Sequence, residues 1–224
     1  MFFRKLGVCC TELFGFMKVM FQIAYGAWKL AGVSKPRITI FGGARLGQKT
    51  KFAQDAFDLA ERFVGRGVSV ITGGGSGVMH AANCGAISKK KSEVRSVGIG
   101  VRELGEGKNP CVQEYFEVEY FFARKWLMTR YSHGFVIFPG GFGTMDELAE
   151  VITLIQTRKL PRVPIVMVGK EYWRDFIEWL HFSAVAHGLI AKEDLELFTL
   201  TDDIDKVFTI VCRECEKLLL QIKK

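Results

Sequence analysis

The sequence FVIFPGGFGTMDELAE, residues 135–150, passes from an apolar run through a glycine turn into a helical pattern. The run from Phe135 to Phe138 predicts a short buried strand, and the spacing of apolar residues after Thr144 is typical of a helix. Proline and glycine between them predict a tight connection. A strand followed at once by a helix is the building unit of a parallel sheet.

The same alternation repeats from Pro36 to the end of the chain. Strands separated by helices of this length predict a doubly wound parallel sheet with helices on both faces. At 224 residues the chain has room for one well-buried domain, which we predict at 36–224, after an N-terminal helical extension at 1–35. The strands are predicted at 38–41, 68–72, 96–101, 135–138, 165–168 and 198–200, and the helices near 48–66, 76–89, 120–132, 143–158, 171–186 and 202–220.

The stretch 103–118, which contains LGEGKNP, is the longest one without a clear element. We therefore predict a long ordered loop there. In a fold of this kind such a loop often covers a substrate.

The N-terminal extension is apolar and basic. Residues 1–37 hold six basic residues and one acidic residue, so +5 of the net charge of +7 lies there. Lys18 and Lys29 bound an uncharged stretch of ten residues, about half of what a membrane-spanning helix needs. A helix over residues 11–31 would be apolar around most of its circumference. It would pack on its own domain or on a second subunit, or it would make a weak contact with a membrane surface through snorkelling lysines.

The remaining charge is nearly balanced. Lys89, Lys90 and Lys91 form one basic cluster at a predicted helix end, where cations suit the helix dipole. No nucleic-acid-binding module accompanies them, so we expect no nucleic-acid partner.

The six cysteines are irregularly spaced, which argues against a secreted disulfide framework and favours a reducing cytoplasm. Cys212 and Cys215 form a CxxC pair inside a predicted helix. Without a second pair, this motif does not indicate a metal or redox site.

Glycines follow three predicted strands, in ITIFGGARLG, SVITGGGSG and FVIFPGGFGT. All three turns should meet at the carboxyl edge of the sheet, where ligands bind in this fold class. Glycine lets backbone amides approach a phosphate, and the helix that follows presents its positive end. Gln48 breaks the spacing of a P-loop, and TGGGSGVM lacks the spacing of a dinucleotide motif. Glycine is also common in any tight strand-to-helix turn, but three such turns on one edge favour a ligand.

The motif PGGFGTMDE, residues 139–147, resembles the signature PGGxGTxxE of the LOG ("Lonely Guy") family of nucleotide phosphoribohydrolases, long labelled as possible lysine decarboxylases. TGGGSGVMHAANCGA, EYFFARKWLM and VITLIQTRKL stand in the expected order around it, so the resemblance covers most of residues 36–201. It implies a Rossmann-like homodimer or a larger assembly of dimers. It also implies hydrolysis of the N-glycosidic bond of AMP or of an N6-substituted adenosine monophosphate, to free base and ribose 5-phosphate.

By matching motifs, the resemblance implies that Arg124 and Glu147 are the essential catalytic pair. The phosphate would lie on amides at a helix N-terminus, Glu147 would face the ribose, and Arg124 would clamp oxygens or orient the carboxylate. The residues predicted to bind substrate are Gly140, Gly141, Gly143, Thr144, Gly74, Gly75, Arg45, Lys125, Asn109 and His80.

Thr144 and Glu147 also fit a T-x-x-E capping box, which is a structural alternative to catalysis. His80 and Cys84 stand where relatives have glutamate and arginine, and His80 would hydrogen-bond the base or only pack. We expect no metal and no cofactor. The rival function is a nucleotide or molybdopterin-type cofactor carrier. Lysine decarboxylase is a weaker third alternative, because no recognisable pyridoxal phosphate lysine is present.

Overall fold

The structure, a computed structural model, describes residues 2–89, 94–102 and 109–222. Lys90 and Lys91 of the basic cluster, and residues 103–108 of the predicted loop, lie outside these ranges. The strands are β1 Arg37–Phe41, β2 Ser69–Thr72, β3 Ser96–Val101, β4 Glu114–Val118, β5 Phe135–Ile137, β6 Ile165–Val168 and β7 Thr199–Thr201. The helices are α1 Phe2–Ala31, α2 Lys51–Gly65, α3 Val78–Ser88, α4 Phe121–Arg130, α5 Phe142–Gln156, α6 Lys170–Trp179 and α7 Ile204–Ile222. A π-helical segment, Leu180–Val185, continues α6, and a 3-10 helix spans Lys192–Leu197.

The seven strands form one sheet in the order β4-β3-β2-β1-β5-β6-β7, and every pairing is parallel. The chain first builds outward from β1 to β4 and then returns to place β5 on the other side of β1. Connections therefore run in opposite directions from the β1/β5 boundary. A crevice opens at such a switch point, at the carboxyl ends of the strands.

The doubly wound parallel sheet is confirmed. All six predicted strands are present, each within one residue of its predicted start. The prediction of a loop throughout 103–118 is wrong at its end, because β4 occupies Glu114–Val118 at the sheet edge. This edge strand is partly solvated, and its two glutamates interrupt the apolar run by which buried strands are recognised.

Two apolar cores lie on opposite faces of the sheet. One contains the buried faces of α2, α3 and α7, and the other contains those of α1, α4, α5 and α6. Cys212 and Cys215 belong to the first core. Burial raises the pKa of the Cys212 thiol to about 11 and that of Cys215 to about 12. The CxxC pair therefore packs as two small apolar side chains.

Helix α1 lies against α4 and the edge strand β4. Lys18 forms an ion pair with Glu119 at 2.8 Å, and the side chain of Gln22 accepts a hydrogen bond from the Glu119 amide. The close approach occurs at Gly26, where a side-chain Cβ would lie 2.9 Å from the ring of Phe116. The opposite face stays exposed and carries Leu13, Phe14, Phe16, Met17, Met20, Phe21 and Trp28. Over residues 12–31, the part of α1 whose side chains are described, a single chain thus buries only one stripe.

Among the described helices, none combines the length and the apolar character that crossing a membrane requires.

We predict that Gly26→Val lowers the free energy of unfolding by about 1–3 kcal/mol, because the added methyl groups would force α1 away from Phe116 and Leu127. Gly15→Val is the matched control, since a Cβ at Gly15 meets no atom within 4 Å. Its effect should stay within about 0.5 kcal/mol. Urea unfolding of both variants measures the difference, and equal stabilities would contradict the observed packing of α1.

Candidate active site

A cavity of about 720 Å³ opens at the switch point between β1 and β5. A pocket of this size can hold a nucleotide-sized ligand. Its walls come from the turns after β1 and β5, the first turns of α3, α4 and α5, and the start of α6. The lining residues are Gly42, Gly43, Ala44, Arg45, Met79, Phe121, Arg124, Lys125, Gly140, Gly141, Phe142, Gly143, Thr144, Met145, Asp146, Glu147 and Tyr172.

The glycine turns pack directly on one another. The amide of Gly43 donates a hydrogen bond to the carbonyl of Pro139 at 2.9 Å, which joins the turns after β1 and β5. A Cβ on Gly43 would lie 3.3 Å from the Gly140 Cα, and a Cβ on Gly77 would overlap the backbone of Gly43 and Ala44. Gly77 also has φ of +64°, which disfavours other residues. Contact between the turns therefore requires several of these glycines, whether or not a ligand binds.

The N-terminus of α5 faces the cavity. Gly141 is the N-cap residue and supplies no side-chain cap, and the first intrahelical hydrogen bond runs from the Met145 amide to the Gly141 carbonyl. The amides of the first turn thus belong to the groups that an α-helix does not satisfy internally. The capping-box alternative is wrong, because Thr144 lies at the third helical position instead of at the N-cap. Proline and two glycines let the helix begin earlier than the T-x-x-E pattern indicates.

Arg124 on α4 and Glu147 on α5 form a buried ion pair. The Nη2 atom of Arg124 donates to Oε1 of Glu147 at 3.0 Å, and the two side chains are only 8% and 11% exposed. The Nε atom of Arg124 is also buried and has no hydrogen-bond partner among the described residues. A buried N–H without a partner carries a desolvation cost. It can therefore still donate a hydrogen bond to an oxygen of a ligand, which would offset that cost.

Gly73, at the end of β2, allows Arg124 to reach this position. A Cβ on Gly73 would collide with the Arg124 guanidinium and would lie 2.7 Å from the Met79 sulfur. The sequence predicts Gly73 only as part of a glycine turn at the ligand-binding edge, and its steric role becomes visible in the structure. The sequence feature that could have indicated this steric role is the run of three glycines, Gly73 to Gly75, which is longer than a tight turn requires.

Lys125, next to Arg124 on α4, also lines the cavity. Its Nζ atom lies 3.0 Å from an Asp146 carboxylate oxygen and 2.7 Å from one of Glu150. Burial by itself would lower the pKa of Lys125, but its hydrogen bonds and the charges of Glu150 and Asp146 outweigh burial and raise the pKa. Three ion pairs among the described residues therefore join α4 to the first turns of α5. Arg124–Glu147 lies inside, and the pairs of Lys125 with Asp146 and Glu150 lie further out.

The structure brings eight of the predicted site residues to the cavity: Arg124, Glu147, Arg45, Lys125, Gly140, Gly141, Gly143 and Thr144. Gly74, Gly75, Asn109 and His80 do not line it. The buried Asn109 side chain donates to Asn83 on α3, and His80 contacts Cys84. Tyr172 on α6 was not foreseen. Its hydroxyl donates to the Gly140 carbonyl and so holds the turn before α5 in place.

Residues 79–211 match the family model described as "Possible lysine decarboxylase". This segment contains both members of the buried ion pair and more than half of the chain. The protein belongs to this family.

Named relatives in plants share much of the chain. This chain is 36% identical over 171 residues to the cytokinin riboside 5'-monophosphate phosphoribohydrolase LOG3 of Arabidopsis thaliana. The aligned region covers 72% of this chain and 74% of that protein. The chain is 31% identical over 174 residues to a probable enzyme of the same description, LOGL9 of Oryza sativa, covering 75% and 73%. The LOG-family resemblance is thereby confirmed.

Among solved structures, the fold is similar to that of the Moco carrier protein of Chlamydomonas reinhardtii, with a TM-score of 0.55 and 21% identity over 82% of this chain and 99% of that one. It is also similar to the molybdenum cofactor binding protein of Rippkaea orientalis, with a TM-score of 0.54 and 20% identity over 85% and 99%. At these identities the likeness establishes the fold alone.

We predict that Gly73→Ala displaces Arg124 from Glu147 and lowers the free energy of unfolding by about 1–3 kcal/mol, because a buried charged group would lose its partner. Gly47→Ala is the control, since a Cβ there meets no atom within 4 Å. Chemical denaturation compares the two variants. If Gly73→Ala were as stable as Gly47→Ala, the proposed steric role of Gly73 would be wrong.

Proposed function

We propose that this protein hydrolyses the N-glycosidic bond of a nucleoside 5'-monophosphate, AMP or an N6-substituted adenosine monophosphate, to free base and ribose 5-phosphate. The observation that carries the proposal is the buried Arg124–Glu147 ion pair beside an uncapped helix N-terminus in one cavity. The activity for which the plant relatives are named supports the same class of substrate and reaction.

The phosphate is assigned to the start of α5. Its oxygens would accept hydrogen bonds from amides of the first turn and would face the positive end of the helix dipole. Gly141 and Gly143 leave open space around the backbone, since a Cβ on either meets no atom within 4 Å. Arg45, exposed at the rim, adds positive charge.

The ribose then lies further into the cavity, toward Glu147. Departure of the base leaves oxocarbenium-like positive charge on the sugar, and a fixed carboxylate stabilises that charge or takes a proton from the attacking water. Arg124 holds the carboxylate through one nitrogen, while its unpartnered Nε suits a ribose or phosphate oxygen. Met79, Phe121 and Met145 supply apolar cavity surface for a purine.

We predict that Glu147→Gln reduces base release from AMP by about 100-fold or more, because the amide retains the shape of the carboxylate without its charge. Arg124→Lys should cause a comparable loss, since lysine lacks the planar fork that reaches two acceptors. Chromatography of free base after incubation with nucleoside monophosphates measures the rate.

Glu150→Gln is the control, because Glu150 lies one turn further along α5, pairs with Lys125 and does not line the cavity. It should retain activity within about threefold, as expected for a group outside the reacting centre. Base release that survives Glu147→Gln would overturn the proposed mechanism.

The alternative, a carrier of a nucleotide or of a molybdopterin-type cofactor, is suggested by the fold shared with the two molybdenum cofactor proteins. The same assay separates the functions. A carrier would bind AMP or a pterin phosphate without releasing base, and Glu147→Gln would then leave binding unchanged.

We further propose that the exposed apolar face of α1 is covered by a second copy of this chain. Apolar patches of this extent are rare on the surface of a monomer, and they mark interfaces. Light scattering should give the mass of two chains or more, and Phe14→Glu with Phe21→Glu should reduce it. A monomer that floats with anionic vesicles would instead favour the membrane contact.

A further inference from the structure

Cys84 and Cys111 are joined by a disulfide bond beside the glycine turn that precedes α3. Cys84 lies on α3, Cys111 lies in the turn before β4, and their Cα atoms are 4.8 Å apart across 27 residues of sequence. Both residues are only partly buried. The irregular cysteine spacing does not predict this single bond, because only the tertiary fold brings its two segments together.

A buried polar network continues from the disulfide to the glycine turn. The Cys111 amide donates to the Asn109 side chain at 2.9 Å, and Asn109 donates to Asn83 at 3.2 Å. Asn83 also accepts from the Thr72 hydroxyl, which in turn accepts from the Gly74 amide at 2.9 Å. The turn that carries Cys111 is thus connected to the turn containing Gly73, on which Arg124 depends.

A histidine stands next to the sulfur pair. The Nε2 atom of His80 lies 3.3 Å from the Cys84 sulfur, one helical turn away on α3. Imidazole is the group that commonly accepts the proton of a neighbouring thiol and so generates the reactive thiolate. By contrast, Cys212 and Cys215 are buried, and burial raises the pKa of both thiols.

We propose that Cys84 and Cys111 form a reversible dithiol–disulfide site that exchanges with low-molecular-weight thiols and disulfides. In oxidation, the Cys84 thiolate attacks one sulfur of the small disulfide, forms a mixed disulfide and releases one small thiol. Cys111 then attacks the Cys84 sulfur, and the second small thiol leaves. Two electrons pass to the small disulfide and the two thiol protons end on its products, while reduction by two small thiols runs the same steps in reverse.

Oxidation fastens the Asn109–Cys111 turn to α3 by a covalent bond, and reduction leaves the hydrogen bonds of the asparagine network in place. A cross-link over this separation constrains the unfolded chain, so the oxidised protein unfolds at a higher temperature, by about 5–10 °C. The proposal goes beyond the proposed enzymatic function, and its test does not depend on that activity.

The experiment treats the full chain with dithiothreitol or with oxidised glutathione, alkylates free thiols with iodoacetamide after denaturation, and maps every cysteine by mass spectrometry. We expect both Cys84 and Cys111 to be alkylated after reduction, and a Cys84–Cys111 linked peptide after oxidation. Thermal unfolding of the oxidised and reduced wild type should show the temperature difference. This difference in unfolding temperature should be absent from Cys84→Ala and present in Cys212→Ala, which is the matched control for loss of a thiol.

His80→Asn should slow disulfide formation and change its pH profile while leaving the linked product intact, since the side chain acts on the thiol and not on the bond. Alkylation of both cysteines after every treatment would overturn the proposal, as would a bond that dithiothreitol cannot reduce in the folded protein. One equivalent of zinc that co-purifies and is lost in Cys84→Ala would also overturn it, in favour of a metal site at His80, Cys84 and Cys111.

Discussion

The close contact between backbone turns at the β1/β5 switch point is the constraint on which the rest of the site depends. Gly43 bonds to Pro139 and lies against Gly140, while Gly77 supports the Gly43 turn from the side of α3. A side chain at these positions would separate the turns. Their packing fixes where α3 and α5 begin, and therefore where the first-turn amides of α5 point. The glycine content of this edge thus has a packing cause, in addition to the phosphate-binding role proposed for it.

The buried Arg124–Glu147 pair is the second constraint, and stability alone does not account for it. Removing two charges from water costs about as much as their attraction returns, and an apolar pair would serve the core equally well. The Nε atom of Arg124 has no hydrogen-bond partner in the described part of the chain, which makes the arrangement less favourable still. The catalytic role proposed for the pair would account for this cost. Lys125 joins α4 and α5 on the outside of the pair.

Sequence patterns predicted much of the framework because short apolar runs, helical periodicity and glycine turns are local signals. The six predicted strands are present. Arg124 and Glu147, which the motifs single out 23 residues apart in the chain, form an ion pair, while their catalytic role stays a prediction. The failures have physical causes. β4 is an edge strand with polar residues facing solvent. Thr144 is not a helix cap, because α5 already begins at Phe142. Asn109 and His80 contact α3 residues outside the cavity wall, and their role in substrate binding stays a prediction.

The amino-acid sequence by itself determined the alternation of strands and helices, the three glycine turns and the family motif, because each depends on residues close together in the chain. Tertiary structure decided which turns touch, that Gly73 makes room for a guanidinium, and that Cys84 meets Cys111. Those outcomes depend on the order of strands in the sheet, with β1 placed between β2 and β5. Strand order is set by the packing of whole elements against one another, which a local pattern does not contain.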